Sequence, residues 1–212
     1  MNAIIIGASS SGLYTGISLA RRGIKSIVFE KRDDNQVPSK RTLIITPEVS
    51  SFLHIPENLV LNRVKTFEIF SKNQKITIPL KEPDLVIQRS DLIKYLEKIA
   101  ISKGVSLLKG REFIKIFNDR KKTITEFKLK GTDKKEHFEV SAIVGADGVQ
   151  SRVAKSFHIT PKKIHLIQAK IALPPESNSD VVKIWFDKRF TDYFIWLIPD
   201  SKKNRSLWFV RR

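Results

Sequence analysis

The chain opens on Asn2-Ala3-Ile4-Ile5-Ile6, turns through Gly7-Ala8-Ser9-Ser10-Ser11-Gly12 and continues in a helical pattern from Leu13 to Arg22. An apolar β-branched run that stops at glycine and passes at once into a helix is a strand, a tight turn and a helix N-terminus. Together these make a cradle for phosphate. Gly7 falls where the strand must turn sharply, and a residue without Cβ takes positive φ there at little cost. Gly12 is expected to open the helix and let a pyrophosphate approach free N–H groups at the positive end of the helix dipole. Gly16, one turn on, lets the helix lie close on the sheet. The middle glycine of Gly-x-Gly-x-x-Gly is replaced by Ser9, and the hydroxyls of Ser9, Ser10 and Ser11 can donate to phosphate oxygens instead. Glycine suits the corner of any strand-turn-helix, so the pattern alone leaves a purely structural turn open. Its context favours a dinucleotide site. Gly23 closes the helix, Lys25 to Phe29 read as a second buried strand, and Glu30 follows 18 residues beyond Gly12, where an acid accepts hydrogen bonds from adenosine ribose hydroxyls. An acid there also argues against a 2′-phosphate on the nucleotide.

Composition narrows the class. At 212 residues the chain can bury one core, or one domain and the start of another, and 41% hydrophobic with 29% charged residues is a globular balance. No apolar run approaches the roughly 18 to 20 residues that cross a bilayer, and the first strand begins at residue 2. The expectation is a cytoplasmic protein without signal peptide or membrane span. With no cysteine there is no disulfide, thiolate metal site or redox-active Cys-x-x-Cys. The net charge of +17 raises a nucleic-acid or anionic-membrane reading. Yet Lys121-Lys122, Lys134-Lys135, Lys162-Lys163 and Lys202-Lys203 fall at expected turns, form no stripe and carry no aromatic stacking motif. A solvated surface without specific nucleic-acid binding accounts for them, and the charge favours transient, peripheral contact with anionic lipid head groups.

Further along, the segment from Lys31 to Lys40, with Pro38, reads as a loop. Arg41 to Ile45 then runs into Thr46-Pro47-Glu48, a cap and first turn for a short helix ending near Leu53. Alternation from Val64 to Leu80 predicts a hairpin outside the parallel sheet, turning at Lys72-Asn73-Gln74 and leaving at Pro79 and Pro83. Ser90 or Asp91 caps a helix carrying Leu92, Leu96 and Ile99 on one face, with Arg89 just before it, Gly104 at its end and a strand over Val105 to Leu108. Glu112 to Phe117, Thr123 to Leu129 and His137 to Val140 form a β-meander. Ala142 to Gly148 resumes the sheet as a buried, central strand ending at Asp147, with Ser151 able to cap the following helix. Asp147 lies where ligands bind in open α/β sheets, or it serves only as a helix cap. From Ile164 the pattern changes to long strands, Ile164 to Leu173, Val181 to Phe186, Tyr193 to Ile198 and Ser206 to Val210, with Pro174-Pro175 between the first two. These predict an antiparallel sheet as a second layer.

Three motifs stand in fixed order: Gly7-x-Ser9-x-x-Gly12-x-x-x-Gly16 with Glu30, then Arg89-x-x-Leu92-x-x-x-Leu96, then Gly145-Ala146-Asp147-Gly148-Val149-Gln150-Ser151-Arg152-Val153. Together they resemble the flavoprotein superfamily of geranylgeranyl reductases and aromatic-ring hydroxylases, over the whole chain. The resemblance implies an α/β fold: a Rossmann-like FAD-binding parallel sheet with an inserted β-meander over residues 1–160, and the start of an antiparallel substrate domain over 161–212, to which the hairpin at 62–84 belongs. It implies that FAD is held by Gly7, Ser9, Ser11, Gly12, Glu30, Lys31, Arg41, Arg89, Asp147 and Gly148, with Arg89 on the flavin side and Asp147 at the pyrophosphate and ribose. Phe194-Ile195-Trp196-Leu197-Ile198-Pro199 resembles the reductases' (Tyr/Phe)-x-Trp-x-Phe-Pro strand, whose aromatics line an isoprenoid tunnel. Phe194 and Trp196 would then face substrate, although burial in an ordinary sheet core explains them as well.

On this resemblance a nicotinamide donor, NADH or NADPH, reduces the flavin, which delivers hydride to an alkene of an isoprenoid lipid or another small molecule. The hydroxylase branch, a flavin monooxygenase, shares every cofactor motif, and an arginine at position 41 suits it. Relatives normally continue to a third motif, Gly-Asp-Ala, before which this chain stops. The corresponding expectation is a shortened, non-catalytic fragment or half of a split enzyme completed by a second, C-terminal polypeptide. No catalytic acid or base stands out: His54, His137, His158 and His165 share no constellation, and no metal set is expected.

Overall fold

In the computed structural model, residues 3–33, 41–160, 162–172 and 177–200 are described with their side chains, and 204–211 by backbone alone. The chain divides into two compact units, one of Met1–Pro38 and Leu92–Lys162, the other of Ser39–Asp91 and Lys163–Arg212.

The first unit begins with β1 (Ala3–Ile6), all four residues buried, then α1 (Ser10–Ala20) and β2 (Ser26–Glu30). In the second unit come β3 (Thr42–Ile45) and a hairpin of β4 (Val60–Ser71) and β5 (Gln74–Gln88). Helix α2 (Arg89–Ser102) follows directly, then β6 (Ser106–Lys109). A meander of β7 (Arg111–Asp119), β8 (Lys122–Leu129) and β9 (Lys135–Glu139) leads to β10 (Ala142–Gly145) and α3 (Arg152–Ser156). The chain continues through β11 (His165–Ala172), β12 (Val181–Phe186), β13 (Ile195–Pro199) and β14 (Asn204–Arg211). The expected loop at 34–40 and the turn at Pro174-Pro175 lie outside the described residues.

Sheet A, in the order β10-β1-β2-β6, is wholly parallel. Because successive residues of a strand face opposite sides, β1 and β2 need apolar partners on both. On one side Ile5 and Val28 lie under α1, where a Cβ at Gly16 would sit 3.4 Å from Val28 Cγ2 and 3.6 Å from Ile5 Cδ1. On the other, Ile4, Ile6 and Phe29 join Phe113, Phe127, Val140 and Val153. The Phe29 and Phe127 rings stack at 3.9 Å, so the three-stranded meander is held to the parallel sheet by an aromatic core. Stacked pairs of this kind add about 0.5–1.5 kcal/mol to their area burial.

The helices end alike. At α1 the N–H of Ile24 donates to Leu19 O and that of Gly23 to Ala20 O, with Gly23 at φ 72°. At α2 the N–H of Val105 donates to Ala100 O, with Gly104 at φ 80°. At α3 the same pattern runs from Ile159 to Ala154 and from His158 to Lys155, but the left-handed residue is His158 at φ 59°.

The second unit carries a seven-stranded sheet, β11-β14-β13-β12-β4-β5-β3, around Val64, Val86, Val182 and Ile198. It is mixed rather than antiparallel: β12 pairs parallel with β4, Val182 opposite Phe67, and the other pairs are antiparallel. The hairpin turns at Lys72-Asn73 as its alternation indicates, but β5 does not leave the sheet at Pro79 or Pro83. It runs on to Gln88, and the ladder absorbs the prolines in an irregularity, Thr66 pairing with Pro79 while Val64 pairs with Asp84. A proline has no N–H to give, so it is tolerated where the pairing is already broken. The short helix expected after Thr46 is a 3-10 helix, Pro47–Ser51, with the proline in its first turn. Arg89 is the first residue of α2 rather than a residue before it, which puts Ser90 and Asp91 inside the first turn.

Candidate dinucleotide site

The end of β1 and the start of α1 form the turn that the glycines require. Gly7 has φ 105°, and a Cβ there would meet Ala146 O at 2.3 Å and Asp147 Cα at 3.2 Å. Its N–H donates to Phe29 O at 2.7 Å, and the N–H of Ala146 donates to Ile6 O at 2.8 Å. The turn is therefore wedged between the ends of β2 and β10. Helix α1 starts at Ser10, with Ser9 as N-cap, so Gly12 lies inside the first turn instead of opening it. The reason for a glycine there also differs from the one expected: its missing Cβ would lie 1.9 Å from Gly7 O. The space is needed by the chain's own turn, and only the folded turn is then offered to a ligand.

What the turn offers is positive. The Ser9 hydroxyl makes no capping bond and no acid lies in the first turn of α1. The first intrahelical bond at this end runs from Leu13 N–H to Ser9 O, which leaves the N–H groups of Ser10, Ser11 and Gly12 without an intrahelical acceptor. Half-buried Ser9 and exposed Ser11 face each other with their hydroxyls 3.0 Å apart. Donors converging at the positive end of a dipole suit an anion.

Glu30, at the end of β2, is 7% exposed and turned towards this turn. Its Oε2 accepts from the Ala8 N–H at 2.9 Å, and its Oε1 accepts from both the backbone N–H and Nε of Arg32 at 3.0 Å. Burial alone would raise the Glu30 pKa. The hydrogen bonds from the Arg32 side chain and backbone, the bond from Ala8 and the charge of Arg32 outweigh it and hold the carboxyl below its usual value. Arg32 was not among the residues singled out from the sequence. The available signal was its spacing, since residues two apart on an extended chain share a side. Lys31, between them, is exposed.

Asp147 follows β10, which is the edge strand of sheet A among the described residues and not a central one. Its backbone lies against Gly7, and its side chain serves α3. Oδ1 accepts from Ser151 Oγ at 2.6 Å, and Oδ2 accepts from the N–H groups of Arg152 at 2.7 Å and Val153 at 3.2 Å. Ser151 caps the same helix, accepting from Ala154 N–H at 2.9 Å. Gly148, at φ 78°, makes the turn between them. Gly7 to Gly12, Glu30, Asp147 and Gly148 are thus brought together in the first unit.

Residues 1–211 match the family model described as FAD binding domain. The chain belongs to the FAD binding domain family. It is 28% identical to the chloroplastic geranylgeranyl diphosphate reductase of Arabidopsis thaliana over 94% of this chain and 46% of that protein. It is 26% identical to Monooxygenase 1 of the same plant over 78% of this chain and 43% of that one. A solved geranylgeranyl bacteriochlorophyll reductase-like protein from Thermoplasma acidophilum superposes with a TM-score of 0.85 at 15% identity, covering 99% of this chain and 56% of its own. That likeness shows the fold, a Rossmann-like parallel sheet of the FAD-binding kind. The chain spans about half the length of the curated relatives it matches.

The other sequence candidates lie in the second unit. Arg41 is exposed, and its carbonyl accepts from the Arg89 N–H at 2.7 Å, so the backbones of these two arginines are joined where β3 meets the start of α2. Phe194 and Trp196 stack at 4.7 Å, and Trp196 packs against the core that includes Ile198. Among the described residues no group of three or more acidic, histidine or cysteine side chains is placed to hold a metal ion.

Proposed function

We propose that this protein binds FAD through the turn from Gly7 to Gly12 and belongs functionally with the flavin-dependent oxidoreductases, with an isoprenoid lipid alkene as the group reduced. The observation that carries the reading is the cradle itself: a positive-φ glycine and a Cβ-free Gly12 fold the turn so that the first N–H groups of an acid-free helix end are open. A pyrophosphate has the charge and size to accept from Ser10, Ser11 and Gly12 there, and the Ser9 and Ser11 hydroxyls add donors at its edge. Glu30 fits the adenosine end, where a ribose hydroxyl can donate to its carboxylate by exchange with the Arg32 guanidinium. Asp147 contributes through its position, since its carboxylate is taken up by α3 while its backbone closes the turn at Gly7.

When bound, FAD supplies hydride transfer between a nicotinamide donor and substrate. The protein's part is to orient the dinucleotide and keep its phosphates compensated. In this reading Arg41 and Arg89 serve the flavin end and Phe194 and Trp196 the isoprenoid chain, by resemblance of their motifs to the reductases. A monooxygenase reading is favoured by the likeness to Monooxygenase 1 and by the exposed arginine at position 41.

The test is to load the protein with FAD, reduce it anaerobically, and add either geranylgeraniol or oxygen. Reoxidation by the isoprenoid, with loss of one double bond, supports the reductase. Reoxidation by oxygen alone, with a substrate hydroxylated in step with NADH or NADPH consumption, supports the monooxygenase. Failure to take up FAD ends both readings.

A further inference from the structure

Between Asp147 and Glu176 the chain has no acidic residue, yet it holds Arg152, Lys155, Lys162, Lys163 and Lys170. Two of these charges are compensated: Arg152 pairs with Glu112 at 2.9 Å and Lys170 with Asp200 at 3.3 Å. Lys155, Lys162 and Lys163 are exposed and pair with no carboxylate among the described residues. The same stretch holds large apolar side chains that the fold does not cover. Phe157 is 54% exposed and Ile159 59%.

The end of α3 fixes these two outward. The N–H groups of Phe157 and Ile159 both donate to Ala154 O, at 3.0 and 2.9 Å, with His158 left-handed between them. In a helix terminus of this pattern the apolar residue two past the cap normally folds back on the last turn of its own helix. Here Ile159 occupies that place and stays in solvent. Val153, in the first turn of the short helix, is the residue that enters the core. Along the chain the character persists, with Ile164 just before β11 and Leu166 and Ile167 within it also exposed.

We infer that the segment around α3, with Phe157 and Ile159 as apolar anchors and Lys155 and Lys162 as cations, is a contact surface for an anionic lipid bilayer. Unpaired lysines beside outward-held apolar side chains, in a stretch of chain that carries no acid of its own and whose neighbouring acids, Glu112 and Asp147, are engaged by Arg152 and the start of α3, are the combination that lies at a membrane interface. Each lysine near a charged leaflet strengthens association about fivefold, and the apolar pair adds an attraction that salt does not screen. The inference does not depend on the FAD reading and is measured without cofactor.

The test is sedimentation of the protein with vesicles of phosphatidylcholine containing about one-third phosphatidylserine, against vesicles of phosphatidylcholine alone. The expected result is binding to the anionic vesicles only, weakened at least tenfold by Phe157→Ser with Ile159→Ser and about twentyfold or more by Lys155→Glu with Lys162→Glu. Lys121→Glu with Lys134→Glu makes the same charge change at exposed meander positions and is expected to alter binding less than about threefold. Circular dichroism confirms that each variant is folded. Equal loss in the meander variant would mean that net charge alone drives binding, and undiminished binding of the Phe157/Ile159 variant would remove the anchors. Either result overturns the inference. So does self-association of the free protein that the Phe157/Ile159 variant abolishes, because a second copy would then be the occupant.

Discussion

Replacing Gly12 with alanine asks whether the cradle is made by the turn's own packing. The new Cβ would lie 1.9 Å from Gly7 O and 3.1 Å from Gly7 C, both backbone atoms. To bring the first contact to even 3.0 Å, the carbonyl has to retreat by about 1.1 Å. That peptide is tied on one side by the Gly7 N–H bond to Phe29 O and on the other by the Ala8 N–H bond to Glu30. It therefore cannot retreat without stretching one of them. Overpacking of this kind costs about 1–3 kcal/mol of stability. The larger effect falls on the dinucleotide. If the shift takes two N–H donors out of reach of phosphate, and each charge-assisted bond is worth about 1.5 kcal/mol, affinity falls about 100-fold. Gly16→Ala is the control, since its Cβ would meet only side chains, at 3.2 Å and beyond, and these can yield by tenths of an ångström. Quenching of flavin fluorescence on titration, with thermal melts of the same samples, gives both quantities. A folded Gly12→Ala protein that binds FAD within about threefold of the parent would refute the argument, because the turn would then tolerate what its geometry forbids.

Other substitutions read out individual groups. Glu30→Gln removes a charge that Arg32 and Ala8 address, and is expected to cost about 1.5–3 kcal/mol at neutral pH in denaturant titrations. Because the folded pKa of Glu30 lies below its reference value of 4.5, the ionised form stabilises the fold above that pH. The difference between parent and variant should shrink as pH falls through the folded value, and a difference that persists in acid would contradict the assignment. Asp84, 7% exposed, has its pKa raised, by burial first and then by the charge of Glu48. Its contribution has the opposite sign, with stability lost as pH rises from 3.8 through the folded value. Asp84→Asn should therefore melt higher at neutral pH and lose that advantage below pH 3.8. His158→Gly relieves a left-handed non-glycine residue and should stabilise by about 1 kcal/mol, a melting shift of about 2–4 °C by calorimetry.

The parts of the fold that are local in sequence were legible in the sequence. The opening strand, turn and helix follow from Gly7, Gly12 and Gly23, and the meander from alternation broken at Asn118-Asp119 and Gly131. What depends on distant partners was not. The parallel pairing of β12 with β4 joins residues over a hundred positions apart, and no alternation pattern distinguishes it from an antiparallel neighbour. Pro79 and Pro83 read as a strand end because each lacks an N–H, while the fold simply places them where the ladder is irregular. At the site, residue types pointed to Glu30 and Asp147 but not to what their oxygens touch. Arg32 reaches both oxygens of Glu30, Oε1 most closely, and α3 takes both of Asp147, because unpaired carboxylates at strand ends collect the nearest free N–H groups.

The most direct test of the account is an equilibrium titration of the unmodified protein with FAD, followed by displacement with ADP. The account predicts uptake of one FAD per chain, with a shifted flavin absorbance at about 450 nm, and release by ADP, which competes for the turn and for Glu30 through its own diphosphate and ribose. A protein that stays colourless at saturating FAD, or one whose bound FAD is indifferent to ADP, would contradict it.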